Sequence, residues 1–260
     1  MNTSEKSLFY KKIMPLILVY AVMVGLGIIA NILNPGFLSL SHIGTIVRQM
    51  SFLGIMCIGQ TIVILTGGID LSLQYTLVLC NVVSAQLIAG NNENTLIALG
   101  VSILISAAIG VLNGIGVYYL KIPAMIMTLA SGTAVWGIAY IYCNGAPKGR
   151  ASDILSFIAN GKIGGVINGA SLIWIILSIL TIIVLKFTVF GRAVYAIGVN
   201  KECAKYSGIN VPGVLIGIYV VASVLAGISG FILLGYTGTS YLSTGDGYNM
   251  DSIASVVVGG

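Results

Sequence analysis

The sequence predicts an all-α fold, a polytopic bundle of transmembrane helices, and three observations support this. Of its 260 residues, 57% are hydrophobic and only 7% are charged, whereas about a quarter of the residues in a soluble domain are charged. Uncharged apolar runs of roughly 20 residues, the length that crosses a bilayer, recur along the chain. The cations lie mostly between these runs rather than on one face of a helix. An ordinary soluble domain is therefore excluded.

The first apolar run predicts a retained span rather than a cleaved signal peptide. It begins behind Lys6, Lys11 and Lys12 and continues to an Asn-Pro-Gly sequence at residues 34–36. A signal peptide would have a shorter apolar region and a small-residue cleavage site. In chain order, the apolar runs predict seven complete spans, at residues 13–33, 43–65, 71–90, 95–120, 122–143, 166–186 and 212–236.

An eighth apolar run begins near Met250 and reaches Gly260 after about eleven residues, too few to span a bilayer. A backbone that ended within hydrocarbon would leave amides and carbonyls unpaired. We therefore expect one transmembrane domain over residues 1–260 that is part of a longer protein.

The charge distribution predicts a cytoplasmic N-terminus, because cytoplasmic segments of membrane proteins are enriched in Lys and Arg. With that orientation, eight cations face the cytoplasm: Lys6, Lys11, Lys12, Lys121, Lys186, Arg192, Lys201 and Lys205. Four face the outside: Arg48, Lys148, Arg150 and Lys162.

A basic, glycine-punctuated segment at residues 191–211 separates two of the apolar runs. Asn200 can cap a short helix that runs from Lys201 to Ser207 and ends at Gly208, and Pro212 suits the start of the next span. A short amphipathic helix in a cytoplasmic loop can insert into a groove on a partner. The segment is therefore predicted to be a docking surface.

The segment at residues 66–72 interrupts two other apolar runs. Gly67 and Gly68 can end one helix, because glycine adopts the left-handed conformation without penalty, and Asp70 or Ser72 can cap the next. Membrane proteins tolerate such a break within protein or beside a water-filled cavity. Two interpretations stay open and are compatible: a gate or pathway element lined by Asp70, or a simple helix cap near the interface.

The polar groups within the spans leave further alternatives open. Asp70 could couple transport to protons, although no second mid-span carboxylate or histidine is visible to form a relay. Side-chain amides could bind a polyhydroxylated solute or could hydrogen-bond one helix to another. These amides belong to Gln60, Gln74, Asn81, Gln86 and Asn113.

The sequence contains no recognisable catalytic or metal-binding pattern. It has no GxxxxGK[ST] phosphate-binding loop and no nucleophile–base arrangement, and its four cysteines lack the spacing of metal ligands. We therefore expect no catalytic residue, metal site or cofactor in this chain. If it takes part in ATP-driven transport, another subunit must bind the ATP.

The sequence resembles the ribose-type ABC transporter permeases, which serve simple sugars such as ribose, xylose and galactose. One specific block is LTGGIDLS at residues 65–72, and weaker matches lie at residues 110–114, 122–123, 128–129 and 245–260. The basic segment matches the family pattern at Gly191, Arg192, Tyr195, Ala196, Gly198, Asn200, Ala204, Ser207, Gly208 and Ile209.

The resemblance implies the architecture and the partners of an ABC importer permease in the bacterial inner membrane. The chain would carry a small polar solute, a monosaccharide, delivered by an extracytoplasmic binding protein. It would pair with a second permease subunit, identical or homologous, and dock ATPase subunits that bind ATP and Mg²⁺. Family members continue beyond the position of Gly260, so the chain would be C-terminally truncated. Membrane lipid is a further expected partner, and no nucleic-acid partner is implied.

The resemblance also assigns residues to two roles. Residues 187–211 would form a coupling loop that contacts the ATPase through Gly191, Arg192, Tyr195, Gly198, Asn200, Lys201, Ala204, Ser207 and Gly208. The solute pathway or gate would include Thr66, Gly67, Gly68, Asp70, Ser72, Gln74 and Asn81.

The sequence departs from the family pattern at a few positions near the predicted pathway. Gln74 and Tyr75 stand where the family usually has glycine and a small polar residue, and Trp136 stands where arginine is common. Asn249 and Met250 replace the usual glutamate and leucine. These departures leave the identity of the solute open. One rival hypothesis is a proton- or ion-coupled secondary transporter that uses Asp70. Another is a non-transport membrane component, such as a scaffold or an intramembrane enzyme.

Overall fold

A computed structural model describes residues 3–163 and 167–259 of the chain, and their regular structure is almost entirely helical. The predicted all-α fold is confirmed. Residue 166, where the sixth predicted span begins, and Gly260 lie outside the described residues. The helices are α1 (Thr3–Leu33), α2 (Leu40–Leu65), α3 (Leu73–Ile88), α4 (Asn94–Tyr118), α5 (Ala124–Tyr142), α6 (Asp153–Asn160), α7 (Gly169–Phe187), α8 (Val189–Val199), α9 (Lys201–Tyr206), α10 (Val211–Thr237) and α11 (Tyr248–Gly259).

Two short strands, β1 (Lys162–Ile163) and β2 (Ile167–Asn168), pair antiparallel between α6 and α7. The chain divides into two compact units, Met1–Val47 and Arg48–Gly260. In the first unit, the backbone amide of Leu38 donates a hydrogen bond to Asn31 Oδ1 (3.1 Å) in the turn after α1. All the features considered below belong to the second unit.

Five helices among the described residues, α2, α4, α5, α7 and α10, are long and apolar enough to cross a membrane. The chain is therefore a multi-pass membrane protein. The predicted span at residues 71–90 is a helix of only 16 residues, which rises about 24 Å and is shorter than a hydrocarbon core of about 30 Å. It is shorter because the segment at residues 66–72 is not helical and α3 begins only at Leu73.

The second unit is organised around α10, which packs against both α3 and α4. Two glycines spaced four apart on α4 allow this close approach. A Cβ atom on Gly110 would lie 2.5 Å from the carbonyl oxygen of Tyr219, and one on Gly114 would lie 2.7 Å from Ile216 Cα. Larger residues would force the helices apart, so the small-residue spacing determines how α4 and α10 pack.

Candidate functional site

The segment between α2 and α3, residues 66–72, is called the junction below. Gly67 adopts a left-handed conformation (φ +77°) and ends α2, as predicted. Its amide donates to the carbonyl of Ile64 (2.9 Å), and the amide of Gly68 donates to the carbonyl of Val63 (3.2 Å). These bonds satisfy the carbonyls of Val63 and Ile64 in the last turn of α2.

Asp70 and Ser72 lie deep inside the protein, with 1% and 0% of their surface exposed. Asp70 Oδ1 accepts hydrogen bonds from the Ser72 amide (2.8 Å) and from the Ser72 hydroxyl (2.6 Å). Of the two predicted caps, Asp70 accepts from the amide of Ser72, the residue before α3, whereas the Ser72 hydroxyl makes no capping bond to the helix. The hydroxyl donates to Asp70 and accepts from Asn113 Nδ2 rather than from an amide of α3.

Acceptors from distant segments bond the first amides around the start of α3. Thr128 Oγ1 on α5 accepts from the Leu71 amide (3.0 Å), and Asn249 Oδ1 on α11 accepts from the Gln74 amide (3.2 Å). A helix that begins inside a membrane protein cannot use bulk water for these amides, so protein acceptors must replace it. The start of α3 is therefore fixed by its neighbours.

Polar side chains connect the junction to α4 and α5. Asn113 Nδ2 donates to Ser72 Oγ (2.8 Å), and the Ser131 hydroxyl donates to Asn113 Oδ1 (2.5 Å). Together with Asp70, these residues form a buried chain of hydrogen bonds from the junction to two helices, α4 and α5. Ser131 was missed by sequence analysis, because a serine within an apolar run carries no distinguishing signal.

Gln74 and Asn249 exchange hydrogen bonds with each other. The Asn249 amide donates to Gln74 Oε1 (3.3 Å), in return for the bond from the Gln74 amide, and Asn249 Nδ2 donates to the Leu71 carbonyl (2.7 Å). Both residues are departures from the resembled family pattern. The two departures are thus one paired contact between α3 and α11, which sequence analysis treated as separate.

Asn81, the other predicted pathway residue on α3, is fully buried. Its Nδ2 atom donates to the carbonyl of Gly230 on α10 (3.0 Å). In this conformation Asn81 hydrogen-bonds one helix to another, which is one of the two roles open from the sequence.

The predicted coupling loop, residues 187–211, keeps that name below and contains two helices. Asn200 Oδ1 caps α9 by accepting from the amides of Glu202 (2.9 Å) and Cys203 (3.0 Å), and Gly208 follows the helix with φ +81°. This confirms the predicted short helix, although it ends at Tyr206, one residue early. The preceding helix α8 was not predicted. Thr188 caps it by accepting from the Gly191 amide (3.2 Å).

Most of the predicted contact residues of the coupling loop are exposed. Gly191 and Ala204 are buried, whereas Arg192, Tyr195, Gly198, Asn200, Lys201, Ser207 and Gly208 are exposed. Large apolar side chains are exposed beside them: Val199 is 89% exposed and Tyr206 is 86% exposed. A surface that combines exposed aromatic, aliphatic and basic side chains is typical of a protein-binding site.

The coupling loop touches the junction directly. A Cβ atom on Gly198, near the end of α8, would overlap the carbonyl oxygen of Leu65, the last residue of α2. Only glycine allows this approach without displacement of one backbone. A movement of α8 toward α2 would therefore displace the backbone at the end of α2.

A cleft of about 590 Å³ joins the coupling loop to the junction. Thr66, Gly67 and Gly68 form one side of it, while Asp70, Ser72, Gln74 and Asn81 lie elsewhere. The remaining lining residues come from the end of α4, the α4–α5 link, α9 and the start of α10: Val117, Tyr118, Tyr119, Lys121, Ile122, Pro123, Ala124, Lys201, Glu202, Lys205, Val211, Leu215 and Tyr219.

From the sequence, Lys121 was predicted to be a cytoplasmic cation, with no role in a functional site. The structure places it in the cleft with Lys201 and Lys205. Its backbone is left-handed (φ +55°), which is uncommon for a residue other than glycine. Lys121 is the only charged residue in the link between α4 and α5. That isolated charge was the sequence signal that could have marked it as a candidate site residue.

Comparison with known proteins agrees with the sequence resemblance. The sequence model of a family described as "Branched-chain amino acid transport system / permease component" matches residues 42–260. No solved structure matches the chain at a significant level.

Several curated proteins are similar over most of the chain. The ribose import permease protein RbsC of Escherichia coli K12 is 33% identical over 89% of this chain and 73% of its own length. The fructose import permease protein FrcC of Rhizobium meliloti is 32% identical (95% and 69%). The galactose/methyl galactoside import permease protein MglC of Haemophilus influenzae is 30% identical (100% and 82%).

Proposed function

The chain belongs to the permease family of sugar ABC importers, and on this premise we propose that it carries a monosaccharide across the bacterial inner membrane. Relatives named as ribose, fructose and galactose permeases support this class of solute. The chain would work with a second permease subunit, with an extracytoplasmic binding protein that delivers the sugar, and with ATPase subunits that bind ATP and Mg²⁺.

The observation that carries the proposal is the shared cleft between the coupling loop and the junction. α9 supplies Lys201 and Lys205 to this cleft, and the junction supplies residues 66–68. Because Gly198 also lies against the end of α2, a force on the loop reaches the place where α2 is broken. A movement of the coupling loop would thus cause a movement of the junction.

In this mechanism the exposed face of α8 and α9 is the docking surface for the ATPase. Arg192 and Tyr195 on α8 and Lys201 on α9 are exposed, and Asn200 keeps α9 helical through two capping bonds. With the N-terminus in the cytoplasm, as the excess of cations favours, this surface faces the ATPase. The ATPase subunits would push and pull on it as they close and open.

The junction would act as the gate. Its hydrogen bonds bring α3, α4 and α5 to a single point at Ser72 and Asn113, and Gln74 connects the same point to α11 through Asn249. A displacement of residues 66–68 would be transmitted to these helices together. This arrangement supports alternating access in which the helices on one side of the pathway move as a group.

The experiment is uptake of radiolabelled ribose into proteoliposomes that contain the full-length protein, its ATPase and its binding protein. We expect uptake that requires ATP inside the vesicles and the binding protein outside, with fructose and galactose tested as competitors. Uptake that proceeds without ATP would sink the proposal.

The secondary-transport alternative is separated by the same preparation. A protonophore should leave ATP-driven uptake unchanged, because no proton gradient is required. Asp70→Asn keeps an oxygen that can accept from Ser72, so it should retain most of the uptake. Loss of uptake with both the protonophore and Asp70→Asn would instead favour a proton-coupled transporter.

A further inference from the structure

We propose that the cleft between the coupling loop and the junction binds a phospholipid with an anionic headgroup. This goes beyond solute transport and ATPase docking. It rests on the charge of the cleft, the chemistry of its walls and its position at the ends of several apolar helices.

The rim of the cleft carries a surplus of positive charge. Lys121, Lys201 and Lys205 line it, against one carboxylate, Glu202. Within residues 3–163 and 167–259, none of these three lysines forms an ion pair. Three ammonium groups around one cavity attract an anion, and basic pockets between transmembrane helices are a recurrent site for anionic headgroups.

The walls of the cleft favour an amphipathic ligand over a small ion. Apolar side chains line the cleft together with the lysines, among them Val117, Ile122, Val211 and Leu215. A volume of about 590 Å³ lies within the range of about 300–1,000 Å³ that is usual for small-molecule sites, and a lone phosphate ion would leave most of it empty. A phospholipid matches both features of the cleft, because its phosphodiester can bind the lysines while its acyl chains contact the apolar side chains.

The cleft also lies at the ends of helices that can span a membrane, which is the level expected for a phospholipid headgroup. It opens where α4 ends at Tyr118, where α5 begins at Ala124 and where α10 begins at Val211. These three helices are long and apolar enough to cross a membrane, so their ends mark the membrane–water interface. Tyr119, which is 60% exposed at the same level, has the chemistry of an interfacial anchor.

An acidic segment of a protein partner is the competing occupant for the lysines. The apolar wall favours the lipid, because an acidic segment would desolvate its carboxylates beside Leu215 and Ile122 without any gain. A bound lipid would touch α9, the junction and the α4–α5 link at once. It would therefore be placed to modulate how movement of the loop reaches the junction.

The test uses a tryptophan reporter in the cleft of the full-length protein. Tyr118→Trp is made in a background in which Trp136 and Trp174 are replaced by phenylalanine. The protein is placed in phosphatidylcholine nanodiscs that contain an equal fraction of either brominated phosphatidylglycerol or brominated phosphatidylcholine. We expect about a hundredfold preference for phosphatidylglycerol in the quenching, falling about fivefold for each lysine removed.

The matched comparison is between lysines inside and outside the cleft. K121Q, K201Q and K205Q together should abolish the preference, whereas K186Q should retain it, since Lys186 is an exposed cation that does not line the cleft. Circular dichroism confirms that each variant is folded. An unchanged preference in the triple variant overturns the proposal.

Two further arms separate the possible occupants. Inorganic phosphate should not relieve the quenching by phosphatidylglycerol, and relief at millimolar phosphate would mean that the cleft takes a free anion and not a lipid. The quenching could be equal for brominated phosphatidylglycerol and brominated phosphatidylcholine, while the triple variant loses affinity for the ATPase. In that case the lysines bind an acidic protein segment and the lipid proposal is wrong.

Discussion

The junction and the coupling loop contain similar polar residues, but the two regions satisfy them in opposite ways. At the junction, Asp70 and Ser72 are buried and bond to each other, and Ser72 also bonds to Asn113 on another helix. In the coupling loop, Asn200 and Thr188 bond to backbone groups within four residues of their own positions. The junction is therefore fixed by tertiary contacts, whereas the loop makes its own local structure.

This difference in hydrogen bonding predicts which substitutions each region tolerates without loss of stability. A buried polar group that loses its partner costs far more than an exposed one. The junction should therefore tolerate few substitutions even where no ligand binds, and its intolerance alone is no proof of a gate. The exposed side chains of the loop can be changed with little effect on folding, so a functional loss there indicates a missing partner contact.

The largest effect on stability is expected from Thr128→Val at the junction. The new side chain has nearly the same shape but cannot accept the hydrogen bond from the Leu71 amide. An unpaired buried amide costs about 1–3 kcal/mol. We expect the free energy of unfolding in mixed micelles to fall by that amount.

Thr133→Val is the matched control, on the same helix. The Thr133 hydroxyl bonds only to the Ala130 carbonyl of its own helix and is exposed. Its replacement should change the unfolding free energy by less than about 0.5 kcal/mol. Equal losses in the two variants would show that the junction is not held by its tertiary bonds.

A smaller and local effect is expected from Asn200→Ala in the coupling loop. Loss of a helix cap costs about 1 kcal/mol, and α9 has only six residues to resist it. We expect faster amide hydrogen exchange at Glu202 and Cys203, whose amides bond to Asn200 Oδ1, with global stability nearly unchanged.

Asn200→Asp supplies the rescue, because an aspartate oxygen can accept the same two hydrogen bonds. Protection of both amides should return with it. If exchange at these amides is unaffected by Asn200→Ala, the helix is held by tertiary contacts and the contrast between the two regions disappears.

The contrast between local and tertiary contacts also explains which features could be predicted from the sequence. The apolar runs predicted most of the long helices because length and hydropathy are local properties. Asn200 and Gly208 predicted the bounds of α9 to within a residue for the same reason. α8 was missed because its glycines, Gly191 and Gly198, suggested an irregular loop, whereas they are needed for close approach to Leu185 and Leu65.

The partners of the junction could not be predicted because they are distant along the chain. Thr128 lies 57 residues from Leu71, and Asn249 lies 178 residues from it. A motif such as residues 66–72 indicates that a helix is broken but not which helices meet the break. The cleft was likewise invisible, because four separate segments form its lining.

The smallest effect on folding, and the sharpest test of docking, is expected from Tyr206→Ser. Tyr206 is 86% exposed at the end of α9, so the unfolding free energy should change by less than about 0.5 kcal/mol. If the exposed face of the loop binds the ATPase, this aromatic side chain is buried in the complex. An aromatic contact of that kind contributes about 1 kcal/mol or more, which is a loss of affinity of about fivefold or more.

Tyr241→Ser is the control, because Tyr241 is also exposed (55%) but lies between α10 and α11, beyond the opposite end of α10 from the loop. Affinity for the ATPase is measured by titration of labelled ATPase into nanodiscs that contain each variant. Loss with Tyr206→Ser alone means that the free surface of α9 is covered by the ATPase. Loss with neither variant would mean that α9 is only a connector, and the exposed polar groups of the loop would then have to be explained by solvent alone.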